Sequence, residues 1–135
     1  MFSHVTLGTN DLKRAAAFYD ALLAPLGLVR SKYEDDGQAE GVGWIEPDRT
    51  LPTFYAHETF DGREATVGNG TMVAFLAQSR TVVDQAFRSG LAAGGSDEGE
   101  PGERPHYGKG YYGAYLRDPD GNKVHVVYRG EQSRG

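Results

Sequence analysis

The chain has 135 residues, 19 acidic and 14 basic side chains, a formal net charge of −5 and no cysteine. This length fits one domain with its own core. The acidic balance and the lack of a basic run argue against nucleic acid and anionic membrane surfaces, and the missing cysteine excludes disulfides, thiolate metal sites and cysteine nucleophiles.

The N-terminal stretch MFSHVTLGTND has neither a basic region nor the apolar run of a signal peptide. The longest apolar stretch, Met72–Ala77, is too short to cross a bilayer. A cytoplasmic protein is the expectation.

Phe2–Leu7 alternates and reads as a strand. Asn10 or Asp11 can cap a helix. Leu12, Ala15, Ala16, Tyr19, Leu22 and Leu23 recur at helical spacing until Pro25 and Gly27 stop them. Val42–Glu46 and Thr53–His57 then read as strands flanking the turn at Pro47–Pro52. The plan repeats downstream. Thr71–Ala77 is a strand, Ser79 a cap, and Val83, Ala86, Phe87 and Leu91 a second helical stripe ended by Gly94 and Gly95. Gly113–Arg117 and Lys123–Tyr128 flank a turn at Asp118–Asn122.

A shift of 68 residues aligns Val5 with Val73, Leu7 with Phe75, Tyr19 with Phe87, Leu23 with Leu91 and Gly27 with Gly95. A shift of 70 aligns Gly43 with Gly113, Asp48 with Asp118 and Tyr55 with His125. The chain thus reads as strand, helix and about three strands, twice, in one domain over 1–135. One half alone would expose a sheet face, whereas two can cover each other or enclose a cleft.

Between the second helix and the last hairpin lies GGSDEGEPGERPHYGKGYYG, rich in Gly, Pro and charge. A loop of that length is usually functional or disordered. Five of the eight tyrosines fall between Tyr107 and Tyr128, which suits either a lid or ordinary packing of a loop on the sheet. Gly108–Gly113 formally matches GxGxxG, but it enters a strand rather than opening a helix, so no nucleotide cofactor is expected.

Asp118-Pro119-Asp120-Gly121 has the residues of a type I turn. Beyond it Val124, Val126 and Tyr128 share one face, and Lys123, His125 and Val127 the other. His125 therefore points away from the main apolar set.

HVTLGTNDLKRAAAFYDALLAPLG, NGTMVAFLAQSRTVVDQAFRSGLAAGG and YYGAYLRDPDGNKVHVVY together resemble the vicinal-oxygen-chelate superfamily. That group includes glyoxalase I, extradiol dioxygenases and bleomycin- or fosfomycin-resistance proteins. The resemblance implies an α+β fold of two tandem βαβββ modules, about 1–60 and 68–130, whose curved mixed sheets enclose a cleft. It also implies a homodimer and a divalent metal held from the first and last strands of each module. Those positions are His4, Tyr55 or a neighbour, Met72 and His125. A common ligand set has His on the first strand, His on the fifth and Glu on the last. Here only His4 matches, and no carboxylate stands at a matched position.

Two expectations of different classes arise. In the first, His4 and His125 hold Zn²⁺, Ni²⁺, Fe²⁺ or Mn²⁺, and the ion polarises vicinal oxygens of a small substrate in lyase, isomerase or dioxygenase chemistry. In the second, the protein is a metal-free binder of the drug-sequestering kind, with Tyr55, Met72, Tyr112 and Tyr115 as walls. Arg104 and His106, with Lys109, would meet an anionic ligand or lie on a solvated loop.

Overall fold

Asp11 starts the first helix by accepting the amide of Arg14 on its carboxylate, so helix α1 runs over Leu12–Leu23. Ser79 does the same for Val82 at the start of helix α2, Arg80–Ala92. The computed structural model describes residues 1–31 and 40–130. Around the helices the strands are β1 (His4–Gly8), β2 (Val29–Arg30), β3 (Gly41–Ile45), β4 (Thr53–His57), β5 (Met72–Leu76), β6 (Ser96–Glu103), β7 (Tyr112–Arg117) and β8 (Lys123–Tyr128). Each half is therefore a βαβββ module.

The modules have the same topology. One sheet is ordered β1-β4-β3-β2 and the other β5-β8-β7-β6. In each, the first strand pairs parallel with the last of its module, and the remaining pairs are antiparallel. Helix α1 packs on its own sheet, α2 on the second, and the two helices pack on each other. The buried stripe of α1 is the expected one with Phe18 added, and Leu12 sits at its margin. Gly90 lets the helices close, because a Cβ there would lie 3.1 Å from Leu22 and 2.8 Å from Leu116.

Eight residues of the stretch expected as a long loop form a strand. Ser96–Glu103 pairs with β7 at the sheet edge, with register shifts between Asp97 and Gly99 and between Gly99 and Gly102. Bulges and charge suit an edge strand, and they erase the alternation that reveals one in sequence. A single 3₁₀ turn at Pro105–Tyr107 links it to β7.

The Asp118–Asn122 turn joins the modules as well as reversing the chain. Gly121 takes φ +95°, and its amide reaches the Asp118 carbonyl at 2.9 Å. The buried Asp118 carboxylate accepts the Tyr19 hydroxyl of α1 at 2.6 Å and the Asn122 side-chain and backbone N–H at 2.9 Å each. Asn122 also donates to the Gly8 carbonyl at 2.9 Å. Asp120 accepts from the Thr9 hydroxyl, the Asn10 amide and the Arg14 guanidinium. Burial, followed by the Asp118 charge, pushes the Tyr19 phenol well above its ordinary pKa.

Candidate functional site

Because α1 and α2 cover one face of each sheet, the other face is left open. In strand register, His4, Thr6, Thr53, Tyr55 and His57 share the open face of the first sheet. Met72, Ala74, Leu76, Tyr115, Lys123, His125 and Val127 share that of the second. The repeat seen in sequence has a physical counterpart here. A Cβ on Gly43 would run into the Tyr55 ring, and one on Gly113 would lie 2.5 Å from the His125 ring. Each module sets a ring of its last strand against a glycine of the neighbouring strand.

His125 is almost wholly buried, at 1% exposure. Its Nδ1 lies 2.8 Å from the Ala114 carbonyl, which can only accept, so Nδ1 carries the proton. Nε2, 2.8 Å from the Tyr111 hydroxyl, is then the acceptor of that hydroxyl's hydrogen bond. The ring stacks on Tyr115, with centroids 4.0 Å apart and planes 11° apart, and lies within 18° of parallel to Tyr111. Burial holds the imidazole below its ordinary pKa. The Ala114 bond opposes that shift, and the Arg104 and Lys123 charges add to it. His125 is therefore a neutral, fixed ring at neutral pH.

Cations surround these rings. Lys123 Nζ lies 5.1 Å from the Tyr115 centroid and the Arg104 guanidinium 5.8 Å from it, while the Arg129 guanidinium lies 5.6 Å from the Tyr111 centroid. Arg104 is held in place by the Glu100 carbonyl at 2.8 Å and the Glu103 carbonyl at 3.4 Å. It lies over β6, where a Cβ on Gly102 would meet it at 2.9 Å. Burial raises the phenols of Tyr111 and Tyr115 above their ordinary pKa, so both stay protonated at neutral pH.

The structure brings some expected site residues together and separates others. Tyr115, His125 and Arg104 form one cluster. His106 meets Tyr107 in a tilted contact at 4.0 Å, and Tyr107 meets Tyr111 at 5.3 Å, which places the exposed His106 at the cluster's rim. Met72 is on the same open face, opposite Lys123 in register and exposed. It lines a cavity of about 550 Å³ with Gly68–Thr71, Arg117 and Lys123. His4 and Tyr55 meet edge to face at 5.6 Å, but on the first sheet. Tyr112 departs from expectation. It points to the helix side, where its hydroxyl donates to Asp84 of α2 at 2.7 Å and its ring lies beneath Arg80. Alternation explains this, since neighbours on a strand face opposite sides.

Tyr111, Lys123 and Arg129 belong to the cluster and were not expected there. Lys123 was legible, because it alternates with His125. Nothing in the sequence picks Tyr111 over Tyr112.

His4 and His125 stand on different sheets. Among the described residues no three His, Asp or Glu side chains gather as a metal site. The Nδ1–H tautomer of His125 leaves Nε2 as the nitrogen able to ligate, but that nitrogen accepts the Tyr111 hydroxyl. A catalytic metal normally needs three protein ligands, and the described residues of one chain do not bring three together.

Residues 1–126 match the family described as the glyoxalase/bleomycin resistance protein/dioxygenase superfamily, and the chain belongs to it. A crystal structure of a glyoxalase/bleomycin resistance protein from Albidiferax ferrireducens T118 is 39% identical, covers 96% of this chain and 99% of its own, and superposes with a TM-score of 0.80. A family enzyme from Burkholderia phytofirmans PsJN shares the fold at 20% identity and TM-score 0.69, over 93% of this chain and 96% of its own. Lactoylglutathione lyase from Agrobacterium tumefaciens does so at 24% and 0.62, over 95% and 92%. No curated protein matches the chain. Among the described residues no helix is long and apolar enough to cross a membrane.

Proposed function

We propose that the protein is a metal-free member of its family that binds a small aromatic or oxygen-rich molecule against the open face of its second sheet. The observation that carries this reading is the state of His125. Both ring nitrogens are bonded within the protein and the ring is stacked on Tyr115. A side chain so committed has no nitrogen left for a metal and acts as a buried support that fixes the Tyr111 and Tyr115 rings. Rings and cations around it are the groups that hold planar, oxygen-bearing ligands.

The open faces also expose Met72 and Leu76, and the chain end beside β1 exposes Phe2, at 42%, 56% and 76%. A homodimer in which a second copy covers part of this surface is the assembly we infer. Light scattering behind a sizing column tests it, and a monomer at every concentration would refute it.

The metal question has a direct test. Protein purified without chelator is analysed for bound metals, then melted with Zn²⁺, Ni²⁺, Mn²⁺ or Fe²⁺. The proposal expects substoichiometric metal and no shift in melting temperature. Stoichiometric metal that disappears in both His4→Ala and His125→Ala would overturn it in favour of the metalloenzyme reading.

A further inference from the structure

The charges on the open face of the second sheet go beyond what an aromatic wall needs. The chain is acidic overall. Among the described residues its ion pairs engage Arg14, Arg30, Arg49, Arg63, Arg80 and Arg117. Lys13, Arg88, Arg104, Lys109, Lys123 and Arg129 take part in none of them, and three of these six, Arg104, Lys123 and Arg129, lie against the Tyr111–His125–Tyr115 rings.

Arg104 is also preorganised. A guanidinium carries five N–H donors. Two carbonyls of β6 fix its orientation, one on each terminal nitrogen. Glycines 99 and 102 clear the bed on which it lies, since side chains there would collide with Tyr115 or with Arg104 itself. The two bonds use one N–H on each terminal nitrogen, so three of the five donors, Nε–H among them, stay open beside a near-parallel array of rings. A planar fork matches a carboxylate in two parallel hydrogen bonds. The half-buried Lys123 adds a second positive charge over the same Tyr115 ring.

We propose that the ligand of this face is a small aromatic acid. Its carboxylate sits on the Arg104 fork with Lys123 beside it, and its ring lies against the tyrosines. The inference rests on the reading that this face binds a small molecule, and it adds the charge and shape of that molecule. A carboxylate is planar like the guanidinium, and a phosphate, which an arginine fork also takes, is the competing group that the titration must reject.

Calorimetric titration of the full chain with matched probes tests it: 2-naphthoate, 2-naphthamide, cyclohexanecarboxylate and phenyl phosphate. The expected result is that 2-naphthoate binds at least tenfold tighter than each of the other three, the scale of a charge-assisted hydrogen bond. Arg104→Gln should erase the preference for naphthoate over naphthamide. Arg49→Gln, which removes an equal charge far from these rings, should keep it. Lys123→Gln should reduce it about threefold or more, and this variant decides the matter if Arg104→Gln does not fold.

Naphthamide binding as tightly as naphthoate would refute the aromatic acid and leave the small-molecule reading standing. So would a preference that survives Arg104→Gln, or phenyl phosphate binding tightest. Failure of all four probes to bind at millimolar concentration would refute both readings together.

Discussion

Removing the Tyr19 hydroxyl should loosen the joint between the two modules. Tyr19→Phe leaves the buried ring and its packing against Trp44 and Phe54 in place. It deletes one hydrogen bond, 2.6 Å long, to the buried Asp118 carboxylate. A hydrogen bond to a charged group contributes about 1.5–3 kcal/mol. The Asp118 Oδ2 atom keeps its bond from Asn122, so the carboxylate is not orphaned and the loss should sit near about 2 kcal/mol. For 135 residues the unfolding entropy is about 0.3 kcal/mol per degree, so the melting temperature should fall by about 7 °C. Urea unfolding of Tyr19→Phe, Asp118→Asn and the double variant isolates the pair, and a coupling energy of about 1 kcal/mol or more is expected. A Tyr19→Phe loss below about 0.5 kcal/mol, with the two variants additive, would refute the role given to this bond.

Gly113→Ala should cost about 1–3 kcal/mol by overpacking, because the new methyl meets the His125 ring. A nitrogen-correlated imidazole spectrum should show that ring displaced, and an unmoved ring would contradict the glycine bed. In the wild type the same spectrum should show the His125 proton on Nδ1, and Tyr111→Phe should leave it there while costing about 1 kcal/mol. A proton on Nε2 would reverse the assignment of donor and acceptor. Asp20 accepts both the Arg30 guanidinium and the Trp44 indole N–H, and the Arg30 bond first of all holds its carboxyl below the usual range. A lowered folded-state pKa gives stability that is complete above the unfolded value of about 3.9 and is lost as pH falls through the folded value. Asp20→Asn should therefore be less stable by under about 1 kcal/mol at neutral pH, with the gap closing in acid as followed by Trp44 fluorescence. A gap that stays constant down to about pH 2 would show that the charge of Asp20 is not what stabilises.

The fold was legible because the two modules repeat their apolar spacing. Val5 with Val73 and Tyr19 with Phe87 occupy equivalent helix-side positions, and Gly43 with Gly113 marks the same ring-over-glycine packing. The features that escaped have definite causes. Strand β6 carries SDEGEPGE, whose charges and bulges leave no two-residue period. Tyr111 and Tyr112 are adjacent, and only the register of β7 against β8 tells which of them meets His125. The module asymmetry was hidden too. Phe87 aligns with Tyr19 but has no hydroxyl, and Asp48 aligns with Asp118 but is exposed, so only the second turn can reach across.

The reach of that turn bears on how the chain is made. Thr9 and Asn10 find their partner Asp120 only 111 and 110 residues later. At a synthesis rate of about 5–20 residues per second, the first module waits about 5 to 20 seconds before its other half exists. During that interval the apolar face of α1 has no second helix to cover it until residue 92 has emerged, and Tyr19 has no carboxylate. The β7–β8 hairpin is thus laid after every other element of the two modules, and a nascent chain cut before Asp118 should remain prone to association however complete its first module is.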